Sequence, residues 1–383
     1  MMTGQLRTGS NQVRRYSWLL YCLVLCACAA APQAASTVIS PAPPSPASVF
    51  SASNSPVHSV ELDNQIATGL TLDRTHVYWI TPQDPQHIFS YPLTGGLVTT
   101  AVSSRFSDGD LTTMRPIRSG DWLIFLDTPT ASGNATWVLR ALNLLVGTEQ
   151  IIGNVQDDPA SWPGPEVSAD GAQVVWTRLQ SSQHSACVET ILTSYNLTSG
   201  QSRELNRGCV EGHYRWSYPA LSGDRLLVEQ DSVRSDEDIS KVILFDLNTG
   251  RSEILNPDYP GSMPIVSGSW AVWKAASRFQ WGREVVIYNL DRREGRLLQS
   301  PGASPLDPLL VGLYLYWPPS AQQPFFVYDI KRDELLTIAT PSENEDIVSV
   351  AIYGGTVAWC RDLNAQNANV HHGLLEWQEL PRR

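Results

Sequence analysis

Lysine is nearly missing from this chain. Its 383 residues hold three lysines against twenty-four arginines, and the formal net charge is −11. An acidic chain without a basic footprint lacks the electrostatics of phosphate binding, so no nucleic-acid partner is expected. Cysteine is scarce too, at six residues, three of them (Cys22, Cys26 and Cys28) within the first thirty. His-Glu-x-x-His, Gly-x-Ser-x-Gly, the Walker loop and the dinucleotide fingerprint are absent, so no catalytic residue, metal ligand or cofactor is assigned. What remains is ordinary globular composition, 42% hydrophobic and 17% charged, in a chain long enough for a large core.

The N-terminus reads as an export segment. Arg7, Arg14 and Arg15 precede an apolar run from Tyr16 to Ala31, which is short for a membrane-spanning helix. Leu25-Cys26-Ala27-Cys28 resembles the bacterial lipobox. That resemblance implies cleavage before Cys28 and lipidation of Cys28, although Cys26 in the second position departs from the pattern. Ordinary cleavage near Ala27 to Ala31, giving a secreted chain, is the alternative. Residues 1–28 are therefore assigned to a lipoprotein-type signal peptide and 29–56 to a Pro/Ser/Ala-rich tether, whose composition cannot bury a core.

From residue 57 a unit of about 45 residues recurs. Its clearest copy runs Pro165-x-x-Ser168-x-Asp170-Gly171, then an apolar strand ending at Trp176, a loop, a strand over Ile191 to Leu197, a Gly turn and a last strand. Related copies begin at Pro116-x-x-Ser119-Gly120, Pro219-x-x-Ser222-Gly223 and Pro264-x-x-Ser267-Gly268. Trp79, Phe125, Trp176, Trp273, Trp317 and Trp359 fall in register, with Glu229 standing where the fourth copy would carry an aromatic. Short alternating strands, four to a unit at this period, predict an all-β propeller. Seven blades are counted, and six or eight remain open. The last unit offers three strands, and Val57-His-Ser-Val-Glu-Leu62 alternates correctly to supply the fourth by pairing with Leu374 to Leu380.

The repeats resemble the TolB-type, WD-like propeller repeat, with consensus Pro-x-x-Ser-x-Asp-Gly before an apolar strand. Pro165, Ser168, Asp170 and Gly171 match it and other copies match in part. The Trp-Asp pairs that end strands in WD repeats are missing. Tyr78-Trp79-Ile80-Thr81 is similar to the YWTD type. The resemblance implies a bacterial envelope protein built around a propeller.

In such a fold the loops from each outer strand to the next inner strand share a face with the loops between second and third strands. Trp162, Trp216 and Trp281 fall in loops on that face, with Tyr214, Tyr218 and Tyr259. Arg278 and Arg283 lie beside Trp281, and Arg178 and Arg361 occupy equivalent positions. Aromatic rings with arginines point to a surface for a protein, peptide or glycan. Rings that only pin loops to the blades are the plainer alternative. Asp63, Asp110, Asp158, Glu211, Asp258, Asp307 and Asp346 lead into the inner strands as an acidic mouth or as turn residues.

Cys187 and Cys209 flank the turn at Ser199 at nearly equal distance, so antiparallel pairing brings them together as a disulfide in an exported protein. His184-x-x-Cys187 with Cys209-x-x-x-His213 also has zinc-ligand spacing. Cys360 follows the core Trp359 and reads as a buried thiol. The functional expectation is a monomeric binding or scaffold propeller at the cell envelope, touching the membrane only through its N-terminal lipid. A polysaccharide lyase or glycosidase acting at the channel mouth is the alternative.

Overall fold

The computed structural model describes residues 49–51, 55–130, 136–155, 164–181, 188–209, 214–232, 240–255, 261–277, 280–301, 308–318, 322–367 and 370–381. These residues form strands and turns, and no helix is found among them.

Seven antiparallel sheets follow one another along the chain: 68–103, 109–155, 166–209, 214–254, 261–299, 309–339, and 346–379 with 58–62. They are numbered here as blades 1 to 7. Each runs from an inner strand to an outer one in chain order, as Glu166–Asp170, Gln173–Ser181, Val188–Asn196 and Gln201–Cys209 do in blade 3. Blade 2 departs slightly, since its inner strand is split into Gly109–Asp110 and Ile117–Ser119, both paired with Trp122–Pro129.

The turn after each inner strand explains the recurring glycine. Gly120, Gly171, Gly223, Gly268, Gly312 and Gly354 all take φ between 55° and 60°. That left-handed conformation costs a side chain and suits glycine. In blade 1 the carboxylate of Asp73 does the work instead, accepting the backbone N–H of Thr75 at 2.7 Å and of His76 at 2.9 Å.

Burial shows why the units need one another. Seven apolar clusters exist, and each joins two adjacent blades. Tyr78 and Ile88 of blade 1 meet Leu123 and Phe125 of blade 2. Ile124 and Trp137 meet Val174 and Trp176 across the next seam, and the series continues through blades 3 to 7. The seventh cluster closes the ring, packing Ala358, Cys360 and Leu375 of blade 7 against Leu70, Val77 and Trp79 of blade 1. The fold is a seven-bladed β-propeller. The aromatics in register, Trp79, Phe125, Trp176, Trp273, Trp317 and Trp359, are all buried at these seams.

The last blade is completed from the start of the domain. His58–Leu62 pairs antiparallel with Gly373–Glu379, with His58 opposite Trp377 and Leu62 opposite Gly373. Leu62 is buried in the closing cluster and the His58 ring stacks on Trp377. One pairing has no sequence counterpart. Val49–Ser51 adds a fifth, parallel strand to blade 6, with Val49 opposite Leu335.

Candidate ligand-binding face

The two faces of the ring differ in their connections. On one, inner and second strands are joined by turns as short as 171–172, and third and outer strands by turns such as 197–200 and 330–333. On the other, the connections include 130–136, 156–165, 233–240 and 363–372. The long-loop face is therefore where sequence can vary without disturbing the strands.

The described candidate residues lie on strands of blades 4 and 5. Trp162 and Arg278 lie outside the described residues. Tyr214 begins the inner strand of blade 4 opposite Ser232. Trp281 pairs with Ala276 at the tip of the blade 5 hairpin, and Arg283 follows on the same strand. Trp216 requires a correction. It sits within strand Tyr214–Ser222 and not in a loop, is only 5% exposed, and packs edge-on against Phe245 in the seam between blades 3 and 4. Its ring is core and is not offered to a ligand. Tyr259 lies outside the described residues.

The same side of the ring holds two carboxylates, Glu229 buried and Glu166 half-buried. Glu166 heads the inner strand of blade 3, and its Oε2 accepts the backbone N–H of Tyr218 in blade 4 and the hydroxyl of Thr177. Glu229 occupies the register that carries tryptophan in other blades, and its Oε2 accepts the N–H of Met263 in blade 5 at 2.9 Å. Tyr218 and Met263 each precede a repeat proline and each take positive φ, 49° and 55°. The left-handed twist at a non-glycine residue turns its N–H toward the neighbouring blade, where only a carboxylate reaches it. Burial pushes both carboxyls above the ordinary glutamate range, and the charges of Asp231 and Glu166 add to the rise at Glu229. The hydroxyls of Ser217 and Ser262, at equivalent positions in blades 4 and 5, are buried with no hydrogen-bond partner among the described residues. Sequence reading noted Glu229 as a departure and missed Glu166. The signal available was the substitution of a charged residue in an aromatic register.

The other expected residues are engaged in turns and pairs. Asp110 Oδ1 accepts the N–H and hydroxyl of Thr112, and Asp346 Oδ1 accepts the N–H of Gln322. Arg361 is held by Glu376 at 2.5 Å and Glu345 at 3.2 Å, and Trp359 Nε1 donates to the same Glu376. His371 Nδ1 lies 2.9 Å from Asp362. No group of three or more His, Cys, Asp or Glu side chains is placed to hold a metal among the described residues.

Cys209 ends the outer strand of blade 3 opposite Glu189, while His184, Cys187 and His213 lie outside the described residues. Cys360 is a free, fully buried thiol that accepts the Ala67 N–H. Cys28 and the segment 1–28 lie outside the described residues, as does the tether apart from Val49–Ser51, Ser55 and Pro56.

No family model matches the chain, and no curated protein matches it by sequence. Solved structures do resemble it. An oligogalacturonate lyase in complex with manganese aligns with TM-score 0.55 at 10% identity, over 87% of this chain and 99% of that one. An acylaminoacyl peptidase from Pyrococcus horikoshii aligns at TM-score 0.55 and 10% identity, over 79% of this chain. The match spans about half of that peptidase, 51%. TolB from Acinetobacter baumannii aligns at TM-score 0.41 and 12% identity, over 80% of this chain and 65% of that one. At such identities the likeness is one of fold, and the fold is the β-propeller expected from the repeats.

Proposed function

We propose that this chain is an exported binding or scaffold propeller that presents its long-loop face to a protein, peptide or glycan at the cell envelope. The observation that carries the proposal is the asymmetry of the two faces. Tight turns close one, and connections of up to ten residues crown the other over a rigid ring. Tyr214, Trp281 and Arg283 stand at the long-loop ends of strands in blades 4 and 5, Trp162 and Arg278 come from the sequence beside them, and their chemistry suits stacking on sugar or peptide planes. The lipobox-like Leu25-Cys26-Ala27-Cys28 supports export with lipidation of Cys28.

One observation favours a second reading. Glu166 and Glu229 are raised carboxyls, with the charge of Glu166 felt at Glu229, and the unpartnered hydroxyls of Ser217 and Ser262 lie on the neighbouring inner strands. Carboxylates tuned upward serve as acids and bases in polysaccharide chemistry. Here, however, one oxygen of each already caps a backbone N–H of the next blade, a structural duty.

The test is capture of envelope proteins and glycan-array binding by the tagged chain. Trp162→Ala and Trp281→Ala leave the unfolding transition in place and weaken capture at least tenfold on the binding reading. Unaltered capture by both variants removes this surface from consideration. Turnover of oligosaccharides that disappears in Glu229→Gln would favour the enzyme instead.

A further inference from the structure

The short-turn face is not uniformly polar. Exposed apolar side chains gather on one arc of it. Leu97 and Val98 tip the turn between third and outer strands of blade 1, and Leu145 and Val146 tip the matching turn of blade 2. Leu97 is 81% exposed, Leu145 74% and Val146 68%. Leu313 of blade 6, Tyr353 of blade 7 and Val57 before the closing strand extend the arc. The same turns in blades 3, 4 and 5 carry Thr198-Ser199, Asn248-Thr249 and Arg292-Arg293 at their tips. The matching turn of blade 6 carries Lys331-Arg332, so the apolar contribution of blades 6 and 7 comes from Leu313 and Tyr353 at their inner-to-second turns, while blades 1 and 2 contribute Leu97, Val98, Leu145 and Val146.

The chain enters the fold on the apolar side. Val49 lies opposite Leu335, at the short-turn end of the outer strand of blade 6, and the strand runs upward from there. His58 lies opposite Trp377, again toward the short-turn end of blade 7. All forty-eight residues before Val49, including the apolar run Tyr16 to Ala31, are therefore attached beside the apolar arc. Arg74 and Lys331, both exposed, stand among these tips, and Lys331 shares a hollow of about 460 Å³ with Leu313 and Arg332. Leucine and valine tips with interspersed cations are the chemistry of an interfacial lipid contact.

We propose that the arc formed by blades 6, 7, 1 and 2 rests on a lipid bilayer surface, with Leu97, Val98, Leu145 and Val146 seated in the headgroup region. The membrane contact is then a second attachment beyond the N-terminal segment. It fixes the ring's orientation and turns the long-loop face away from the bilayer. The net charge of −11 works against long-range attraction to anionic lipid, so the contact depends on local apolar burial once the N-terminus holds the chain near. The contact rests on the N-terminal attachment proposed above, on the side where the chain enters and on side-chain exposure, not on the partner assigned to the opposite face.

The test is amide hydrogen exchange on the full-length chain in vesicles of phosphatidylethanolamine and phosphatidylglycerol, compared with the chain in detergent. Turns 93–98 and 144–148 should exchange at least fivefold more slowly on vesicles, and turns 197–200 and 247–251 should be unchanged. In the double variant Leu97→Glu/Leu145→Glu the slowing should vanish while the unfolding transition stays in place. Equal exchange in all four turns in the two environments would overturn the proposal. Slowing that appears without lipid and grows with protein concentration would also overturn it, since a second copy would then cover the arc. Partner capture by the long-loop face is measured separately, and its failure leaves this result standing.

Discussion

The Oγ of Ser168, the serine of the clearest repeat, accepts the backbone N–H of Leu221 at 2.9 Å and so ties the inner strand of blade 3 to that of blade 4. The relation recurs around the ring. Ser222 accepts the N–H of Gly268 at 2.9 Å, Ser267 that of Gly312 at 2.8 Å, and Ser349 that of Leu70 at 3.0 Å. Ser119 instead donates its hydroxyl to the carbonyl of Gly171 at 3.1 Å. Serines of the inner strands, those of the repeat in blades 3 to 5 and Ser349 in blade 7, are thus latches between blades. They satisfy amides of the neighbouring inner strand, Leu221 and Leu70, or of the turn that follows it, Gly268 and Gly312.

The latch at the seam between blades 7 and 1 gives the sharpest test. Ser349→Ala strands the buried Leu70 N–H, and an unmet buried donor costs about 1–3 kcal/mol. The urea midpoint should fall accordingly with the m-value unchanged. Ser199→Ala, in the exposed turn of blade 3, should move the midpoint little. Equal effects would deny the latch its role.

The closing strand is the second point of weakness. Leu62→Ala removes a buried side chain from the cluster that joins the two ends of the ring, which costs about 2–5 kcal/mol. Deleting residues 49–62 bares the edge of Gly373–Glu379 and should produce aggregation on heating, read by light scattering.

Trp216→Ala separates a core role from a ligand role. Its burial predicts a loss of about 3–5 kcal/mol in unfolding free energy. A stably folded variant with weakened ligand capture would contradict that placement.

The raised carboxyls give a pH dependence with a definite sign. Glu166 and Glu229 hold their protons more tightly folded than unfolded, because burial penalises their charge. Their contribution is fully present below the ordinary value of 4.5 and is lost as pH rises through the folded values. Glu229→Gln keeps an oxygen for the Met263 N–H and cannot ionise. Its stability relative to the parent should therefore rise between pH 5 and pH 8, followed by urea midpoints. A difference that is flat with pH would exclude the effect. Asp73 and Glu345, both held below the usual range, act in the opposite sense at acid pH.

Thiol chemistry tests the Cys187–Cys209 bond, which we propose from the register that sets Cys209 opposite Glu189. Peptide mapping without reductant should recover the two cysteines joined, and reduction should cost about 2–4 kcal/mol. Cys360 should resist alkylation until the chain unfolds, since burial pushes its thiol up to about 12. Recovery of both Cys187 and Cys209 as free thiols in the exported protein, or of a bound zinc, would rule the bond out.

The repeat made the ring legible. An aromatic in register in six blades, a glycine at the tight turn of six and a strand to spare before Asp63 all express one requirement, that a four-stranded sheet with two apolar faces needs neighbours on both sides. The candidate surface was less legible. Trp216 looked like a loop residue because the inner strand of blade 4 begins at Tyr214, earlier than its Pro219 suggested. Glu166 was invisible because its partner, the twisted N–H of Tyr218, comes from another blade and from a backbone angle that no side chain announces. Val49–Ser51 went unforeseen because a parallel three-residue pairing demands no alternating pattern.

Closure by His58–Leu62 also sets a timetable. The strand that completes the seventh sheet is made before the first blade, and its mate Gly373–Glu379 is made more than three hundred residues later. Until that mate emerges, whether from the ribosome or from a translocation pore, the circle stays unlocked and the first blade keeps one apolar flank in water. The export proposed above, in an unfolded state with folding only after the whole chain has crossed, suits a molecule whose two ends must clasp each other.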